Sequence, residues 1–335
     1  MHARSIRALG GFVNIRFRIG ETETANCPSQ CVSVLVRGTL VAVFSLALAH
    51  RAPAQPIEES NQLKKVRVNG VELHYLDRGE GTPVLFVHGG LDDYRYWKSQ
   101  MEPFSQHYRV IAYSRRYNYP NNNPMTRPDH SAIVEAEDLA ALIKSLKIGR
   151  VHILGASYGA YAALFLALRH PETVRTLILA EAPVLRLAQD KPGGMALYEE
   201  FMAKLWKPAG EAFRGGDKEQ ALRLTVEYFA GERAFDQAPE DLRQYWRGNL
   251  PEWQALTTSR DAFPVLRRTD VKRITAPALM LSGERTLNIH KFVDGELRLL
   301  LRGGERVIIP NASHDMWSEH PEVCRQAALA FLAKR

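Results

Sequence analysis

Residues 151–169 read VHILGASYGAYAALFLALR, and few architectures can accommodate such a run. An apolar strand-like stretch, Val151–Leu154, passes through Gly155-Ala156-Ser157-Tyr158-Gly159 into an alanine-rich helix that closes at His170-Pro171. A G-x-S-x-G pentapeptide means little by composition alone. Set between a buried strand and a helix, its small residues permit a sharp turn that lifts a serine hydroxyl above the edge of a sheet. The competing use of Ser157 is as an ordinary helix cap.

The flanking sequence repeats the same alternation. Lys65–Val68 and Val71–Asp77 alternate in a strand-like way about Asn69-Gly70, a strong hairpin signal. Pro83–Val87, Arg109–Tyr113 and Val174–Ala180 are continuous apolar runs of the kind buried on both faces of a sheet. Ser131–Leu146 has helical spacing. Apolar strands alternating with helices imply an α/β fold with a mostly parallel sheet covered by helices. From about 184 to 264 only helical stretches appear, such as Met195–Trp206 and Lys218–Phe229. Strands resume at Ala278–Ser282 and Arg306–Ile309, and Pro321–Lys334 reads as a final helix. The expected organisation is a targeting segment (1–54), a first core part (55–183), a helical lid (184–264) and a second core part (265–335). A lid so placed would cover the carboxyl ends of the strands, where open α/β sheets bind ligands.

Chemistry concentrates at those strand ends. Ser157 is the candidate nucleophile. His88-Gly89-Gly90 directly follows an apolar strand, and its glycines leave backbone N–H groups open. Gly90 N–H and Tyr158 N–H, the latter just after the nucleophile, are the candidate oxyanion donors. The glycines would serve equally in a plain tight turn, and His88 reads as a structural histidine. Among eleven histidines, His314 stands just past the last strand, in Asn311-Ala312-Ser313-His314-Asp315, and follows the serine in chain order. It is the candidate general base.

With these features in place, residues from about 65 to 335 resemble the α/β-hydrolase superfamily, in its lidded esterase, lipase and dehalogenase-like branch. The resemblance rests on the HGG turn at 88–90, the GASYG turn at 155–159, the insertion after Ala180 and the NASHD segment at 311–315. It implies a third catalytic group, an aspartate three residues after the glycine of PALMLSG. Thr286 stands there instead. Glu181, directly after Val174–Ala180, is the replacement the resemblance suggests, because some relatives carry their acid at that strand; Glu284 is the alternative. Relatives often read D-x-R-G-x-G where this chain has Ser114-Arg115-Arg116-Tyr117-Asn118-Tyr119, and only Arg116 matches. Arg116 and the aromatic Tyr94 and Trp97 are possible pocket residues; helix-packing core is the equal alternative for the aromatics.

Composition narrows the function. The net charge is +7, but residues 1–54 hold +4 of it, and the remaining +3 makes no case for nucleic acid. Within that leader, Arg37 precedes a 12-residue apolar run, Gly38 to Ala49, and Ala52-Pro53-Ala54 has small residues where signal cleavage requires them. Residues 31–54 therefore read as an export signal cleaved near Ala54, giving a periplasmic or secreted enzyme; a retained anchor or a buried helix are the alternatives. The delayed apolar run is compatible with translation starting further in than Met1. The run is shorter than the roughly 20 residues a membrane span needs, so no stable membrane insertion of the mature chain is expected. Loss of Cys27 and Cys31 with the leader would leave Cys324 alone, without a disulfide partner.

No Walker A sequence, dinucleotide fingerprint or paired-histidine metal motif appears, so no cofactor and no metal are expected. The resulting expectation is a serine hydrolase acting on a small carboxylic ester, lactone or thioester through Ser157, His314 and Glu181. Lyase or cofactor-free perhydrolase chemistry, or a non-catalytic binding role, are the rivals. Serine rather than aspartate at 157 counts against epoxide-hydrolase or dehalogenase chemistry.

Overall fold

Asn69 and Gly70 both adopt positive φ (46° and 81°), as a tight two-residue hairpin turn demands. The turn pairs Val68 with Val71 and joins β1 (Lys64–Val68) to β2 (Val71–Arg78) in antiparallel register. The computed structural model describes residues 62–126 and 128–335. The export-like segment 31–54 and the stretch before it lie outside the described residues, as do Cys27 and Cys31.

From the hairpin the sheet grows to eight strands in the order β1-β2-β4-β3-β5-β6-β7-β8. The remaining strands are β3 (Pro83–Val87), β4 (Arg109–Tyr113), β5 (Val151–Ala156), β6 (Val174–Ala180), β7 (Ala278–Gly283) and β8 (Glu305–Ile309). Every pairing from β4 through β8 is parallel. The apolar runs read from the sequence are therefore strands buried on both faces. In β3, Leu85 and Val87 join a core on one side of the sheet, while Val84 and Phe86 join the core on the other. Burying all four supplies on the order of 1.5–3 kcal/mol each, before the entropy of ordering them is counted.

Helices cover the two faces. Ala132–Ser145 and Tyr158–Arg169 pack against each other and into the first core, and Pro321–Leu332 packs into the second. Between β6 and β7 the described chain forms helices and no strand, from Leu185–Gln189 to Arg268–Arg273. The single helix expected at Met195–Trp206 begins earlier, at Pro192, and changes to π-helical winding over Met202–Trp206 before continuing as Lys207–Arg214. Pro208 lies just past the π-wound turn in this continuous helix, where it has no N–H to give to the turn before it. No helix of the described residues is long and apolar enough to cross a membrane.

Candidate active site

Ser157 is the single residue between β5 and the helix Tyr158–Arg169, and its backbone is strained at φ 48°, ψ −119°. A non-glycine residue at positive φ is costly and persists only where its surroundings enforce it. Here they do. A Cβ at Gly155 would lie 2.7 Å from Ala160 Cα, and one at Gly159 would run into the Val87 and His88 carbonyl oxygens. Both glycines are needed to let strand, turn and helix approach so closely. Ser157 N–H donates to Ala180 O at 2.7 Å, which ties the turn to the end of β6.

The next residue along β6 is Glu181, also at positive φ (54°) and fully buried. Its carboxylate accepts three hydrogen bonds: Gly283 N–H to Oε1 (2.7 Å), Thr286 Oγ1–H to Oε2 (2.6 Å) and His314 Nδ1–H to Oε2 (2.5 Å). Burial pushes this carboxyl up, but the bond and charge of His314, with help from His290 and Thr286, hold it below its ordinary 4.5. It is therefore ionised near neutrality and can only accept, so His314 carries its proton on Nδ1 and leaves Nε2 as the basic nitrogen. Thr286, at the position where an aspartate was expected, thus donates to a glutamate from the neighbouring strand.

Ser157 and His314 line one cavity of about 180 Å³, together with Gly89, Gly90 and a wall of aromatic side chains. The HGG turn runs close beside the serine, since a Cβ at Gly89 would lie 3.3 Å from Ser157 Cβ. Tyr158 opens its helix, so its N–H has no acceptor in the preceding turn of that helix. Gly90 lies under the indole of Trp253, 2.8 Å from where a Cβ would stand. Trp253 belongs to the helix Leu250–Thr257 of the insertion, which also contributes Phe229 and Trp246 to the cavity.

Three expected pocket residues lie elsewhere. Arg116 is buried in a two-pronged ion pair with Asp138, Nε to Oδ2 at 2.8 Å and Nη2 to Oδ1 at 2.7 Å. It secures the helix Ala132–Ser145 and does not line the cavity. Trp97 is wholly buried between Phe86 and Trp317, at ring separations of 5.0 and 5.3 Å, and is core. Tyr94 donates its N–H to Ser114 Oγ and lies under the Lys98 ammonium. Its helical turn presents Tyr96 to the cavity instead, with Tyr96 OH donating to Asp315 Oδ1 at 3.1 Å. Glu284 accepts from Asn311 N–H at 2.8 Å, at the turn after β8, and makes no bond to His314. His88 is structural: Arg115 N–H donates to its Nε2 (2.9 Å), and its Nδ1 bonds Gly89 O (2.9 Å).

The sequence reading missed His290, whose buried ring is nearly parallel to His314 at 4.4 Å, with both nitrogens unpartnered. Burial, and then the charge of His314, lower it to about 3, so it stays neutral. Glu181, His290 and His314 bring potential metal donors within 4.8 Å of one another. The near-parallel rings hold their lone pairs in separate planes, so a shared ion would lie off the axis of each. Also missed were the buried Arg115 and Glu252, for which two adjacent arginines in Ser114-Arg115-Arg116 were the available signal.

Known proteins share this frame. The model of the alpha/beta hydrolase family matches residues 84–327. A soluble epoxide hydrolase of Corynebacterium sp. (strain C12) is 25% identical over 290 residues, covering 79% of this chain and 95% of the relative. The 2-hydroxy-6-oxo-6-(2'-aminophenyl)hexa-2,4-dienoic acid hydrolase of Metapseudomonas resinovorans is 27% identical over 293 residues, covering 81% and 90%. Among solved structures, the enol-lactonase from Burkholderia xenovorans LB400 superposes with a TM-score of 0.65 at 20% identity, over 81% of this chain and all of that one.

Proposed function

Because the chain belongs to the alpha/beta hydrolase family, we propose that it is a serine hydrolase that cleaves a small carboxylic ester through an acyl-enzyme. The observation that carries this reading is the His314 Nδ1 bond to a buried Glu181 carboxylate, at the rim of a cavity that Ser157 also lines. Ser157 Oγ attacks the ester carbonyl carbon while His314 Nε2 takes its proton. The oxyanion is held by Gly90 N–H and Tyr158 N–H. As the tetrahedral intermediate collapses, the imidazolium returns the proton to the leaving alkoxide, and Ser157 remains acylated. Water then attacks the acyl group with His314 again as base, releasing the acid. Glu181 keeps the imidazole in the Nδ1–H tautomer and stabilises its charged form.

Serine at 157 sets this scheme apart from a mechanism built on an aspartate nucleophile, although relatives named as epoxide hydrolases share the frame. Lactones and thioesters fit the same attack. The insertion between β6 and β7 acts as the lid, and its tryptophans favour an apolar or ring-bearing substrate group. Residues 31–54 direct export and are removed near Ala54; the support is the order of Arg37, apolar run and small-residue site. Ser157→Ala decides the central claim. It should abolish turnover of p-nitrophenyl esters and labelling by a fluorophosphonate while the protein stays folded. Labelling that persists in this variant assigns the nucleophile elsewhere.

A further inference from the structure

The most deeply buried guanidinium of the described core has no part in the acyl-transfer scheme, yet it sits against the turn on which that scheme depends. Arg115 is wholly inaccessible, and its Nη2 donates both to Gly89 O (2.9 Å) and to Glu252 Oε1 (2.6 Å). Glu135, equally buried, approaches the other terminal nitrogen at 3.5 Å. A buried charge survives only when paired and hydrogen-bonded, and here the pairing engages two carboxylates and a backbone carbonyl.

The proton positions follow from the contacts. His88 Nε2 accepts the N–H of Arg115, so its proton lies on Nδ1 and points at Gly89 O. The Gly89 carbonyl therefore receives two donors, an imidazole N–H and a guanidinium N–H. That carbonyl and Gly90 N–H belong to one trans peptide unit, in which C=O and N–H point opposite ways. Fixing the oxygen towards Arg115 turns the Gly90 hydrogen away from it, and no acceptor among the described residues takes that hydrogen. Donors on the oxygen also draw charge through the amide and make its N–H a better donor in turn.

Glu252 adds a second connection. It lies one residue before Trp253 on the insertion helix Leu250–Thr257, and the Trp253 indole packs against Gly90. One guanidinium thus bonds both the turn and the helix that packs on it.

We propose that Arg115 is a positioning residue of the oxyanion turn. Together with His88 it clamps the Gly89 carbonyl so that Gly90 N–H faces the cavity, and through Glu252 it registers the helical insertion against that turn. This inference rests on the serine-hydrolase reading of the site.

The test uses Arg115→Lys, which keeps the charge but ends its side chain a bond short of the Nη2 position that serves both Gly89 O and Glu252. Steady-state hydrolysis of a p-nitrophenyl ester and inhibition by a trifluoromethyl ketone, which forms a tetrahedral adduct on the serine, are measured together. The expected result is a fall in kcat of about 10- to 100-fold with KM little changed, since a displaced donor costs part of what a deleted one does. Affinity for the ketone should fall in parallel. Glu252→Gln, which keeps an acceptor for Arg115 but drops the charge, should move both quantities the same way by less, and it stands in if the lysine variant does not fold. A rise in KM alone, or unchanged kcat and ketone affinity in whichever of the two variants folds, overturns the clamp. Wild-type protein inert to both ester and fluorophosphonate would instead sink the serine-hydrolase reading beneath it.

Discussion

Replacing Glu181 by glutamine alters one atom and leaves the side chain no satisfactory way to face its surroundings. Three donors converge on the carboxylate: Gly283 N–H on Oε1, and Thr286 Oγ1–H with His314 Nδ1–H on Oε2. An amide has one oxygen to offer. If that oxygen takes the Oε2 position, the new NH₂ meets Gly283 N–H head on, leaving buried donors unpaired at about 1–3 kcal/mol. If the oxygen turns to Gly283, the NH₂ faces His314, and Nδ1 must become the acceptor. The imidazole proton then moves to Nε2, the nitrogen that has to receive the serine proton. A triad that loses its carboxylate to an amide in this way drops by about 10⁴ in kcat, or about 5 kcal/mol of barrier. The assay is kcat on a p-nitrophenyl ester for Glu181→Gln and Glu284→Gln side by side, with a thermal scan of each. Glu181→Gln should be crippled and melt lower, by about 2–4 °C for each kcal/mol lost. Glu284→Gln should be close to wild type, because its carboxylate serves only the Asn311 turn. The reasoning is refuted if the two results are exchanged. If both variants stay active, the site works as a serine–histidine pair.

Gly159→Ala should destabilise the fold by about 1–3 kcal/mol and reduce activity, because its Cβ meets Val87 O at 2.5 Å and must push β3 and the HGG turn away from Ser157; an unchanged melting temperature would refute the close-approach argument. Acid stability should depend on Glu135, which burial pushes up but the Arg115 charge and nearby His130 bring down from 4.5 to about 2. A carboxylate depressed on folding contributes stability in full above 4.5 and loses it as pH falls through about 2. The gap in urea midpoint between wild type and Glu135→Gln should thus be wider at pH 6 than at pH 3, and a constant gap would contradict this account. Native protein should begin near Gln55 and fractionate outside the cytoplasm; an intact mass that retains residues 38–49 ends the export proposal.

The strands were legible because burial on both faces leaves an apolar signature that needs no partner to be read. Pro83–Val87, Arg109–Tyr113 and Val174–Ala180 have the expected boundaries to the residue. The serine turn was legible for a related reason, since its glycines answer to contacts within a few residues or with the adjacent strand. What failed were the pocket residues Tyr94, Trp97 and Arg116, whose side-chain direction no local pattern gives. Tyr94, Tyr96 and Trp97 form one tight turn, and only its winding decides that Tyr96 faces the cavity while Trp97 enters the core. Arg115 and Arg116 are adjacent and equally basic, yet only Arg115 hydrogen-bonds a carboxylate of the insertion, while Arg116 bonds Asp138 on the helix Ala132–Ser145. No local pattern shows that Glu252, over a hundred residues away, holds the partner charge for Arg115.

The Glu181 carboxylate also docks on the Gly283 amide, at the end of the very strand from which an aspartate was expected to come. A single locus between neighbouring strands can therefore be supplied from either one: by a short acid on the far side, or by a longer acid on the near side with a hydroxyl, Thr286, filling in opposite. The negative charge keeps its address while the gene position that encodes it moves by about a hundred residues. Lineages could exchange one arrangement for the other through an intermediate carrying both acids, without the imidazole ever losing its partner. What marks the partner of His314 is then a carboxylate beside that amide, and not an acid at one fixed place in the chain.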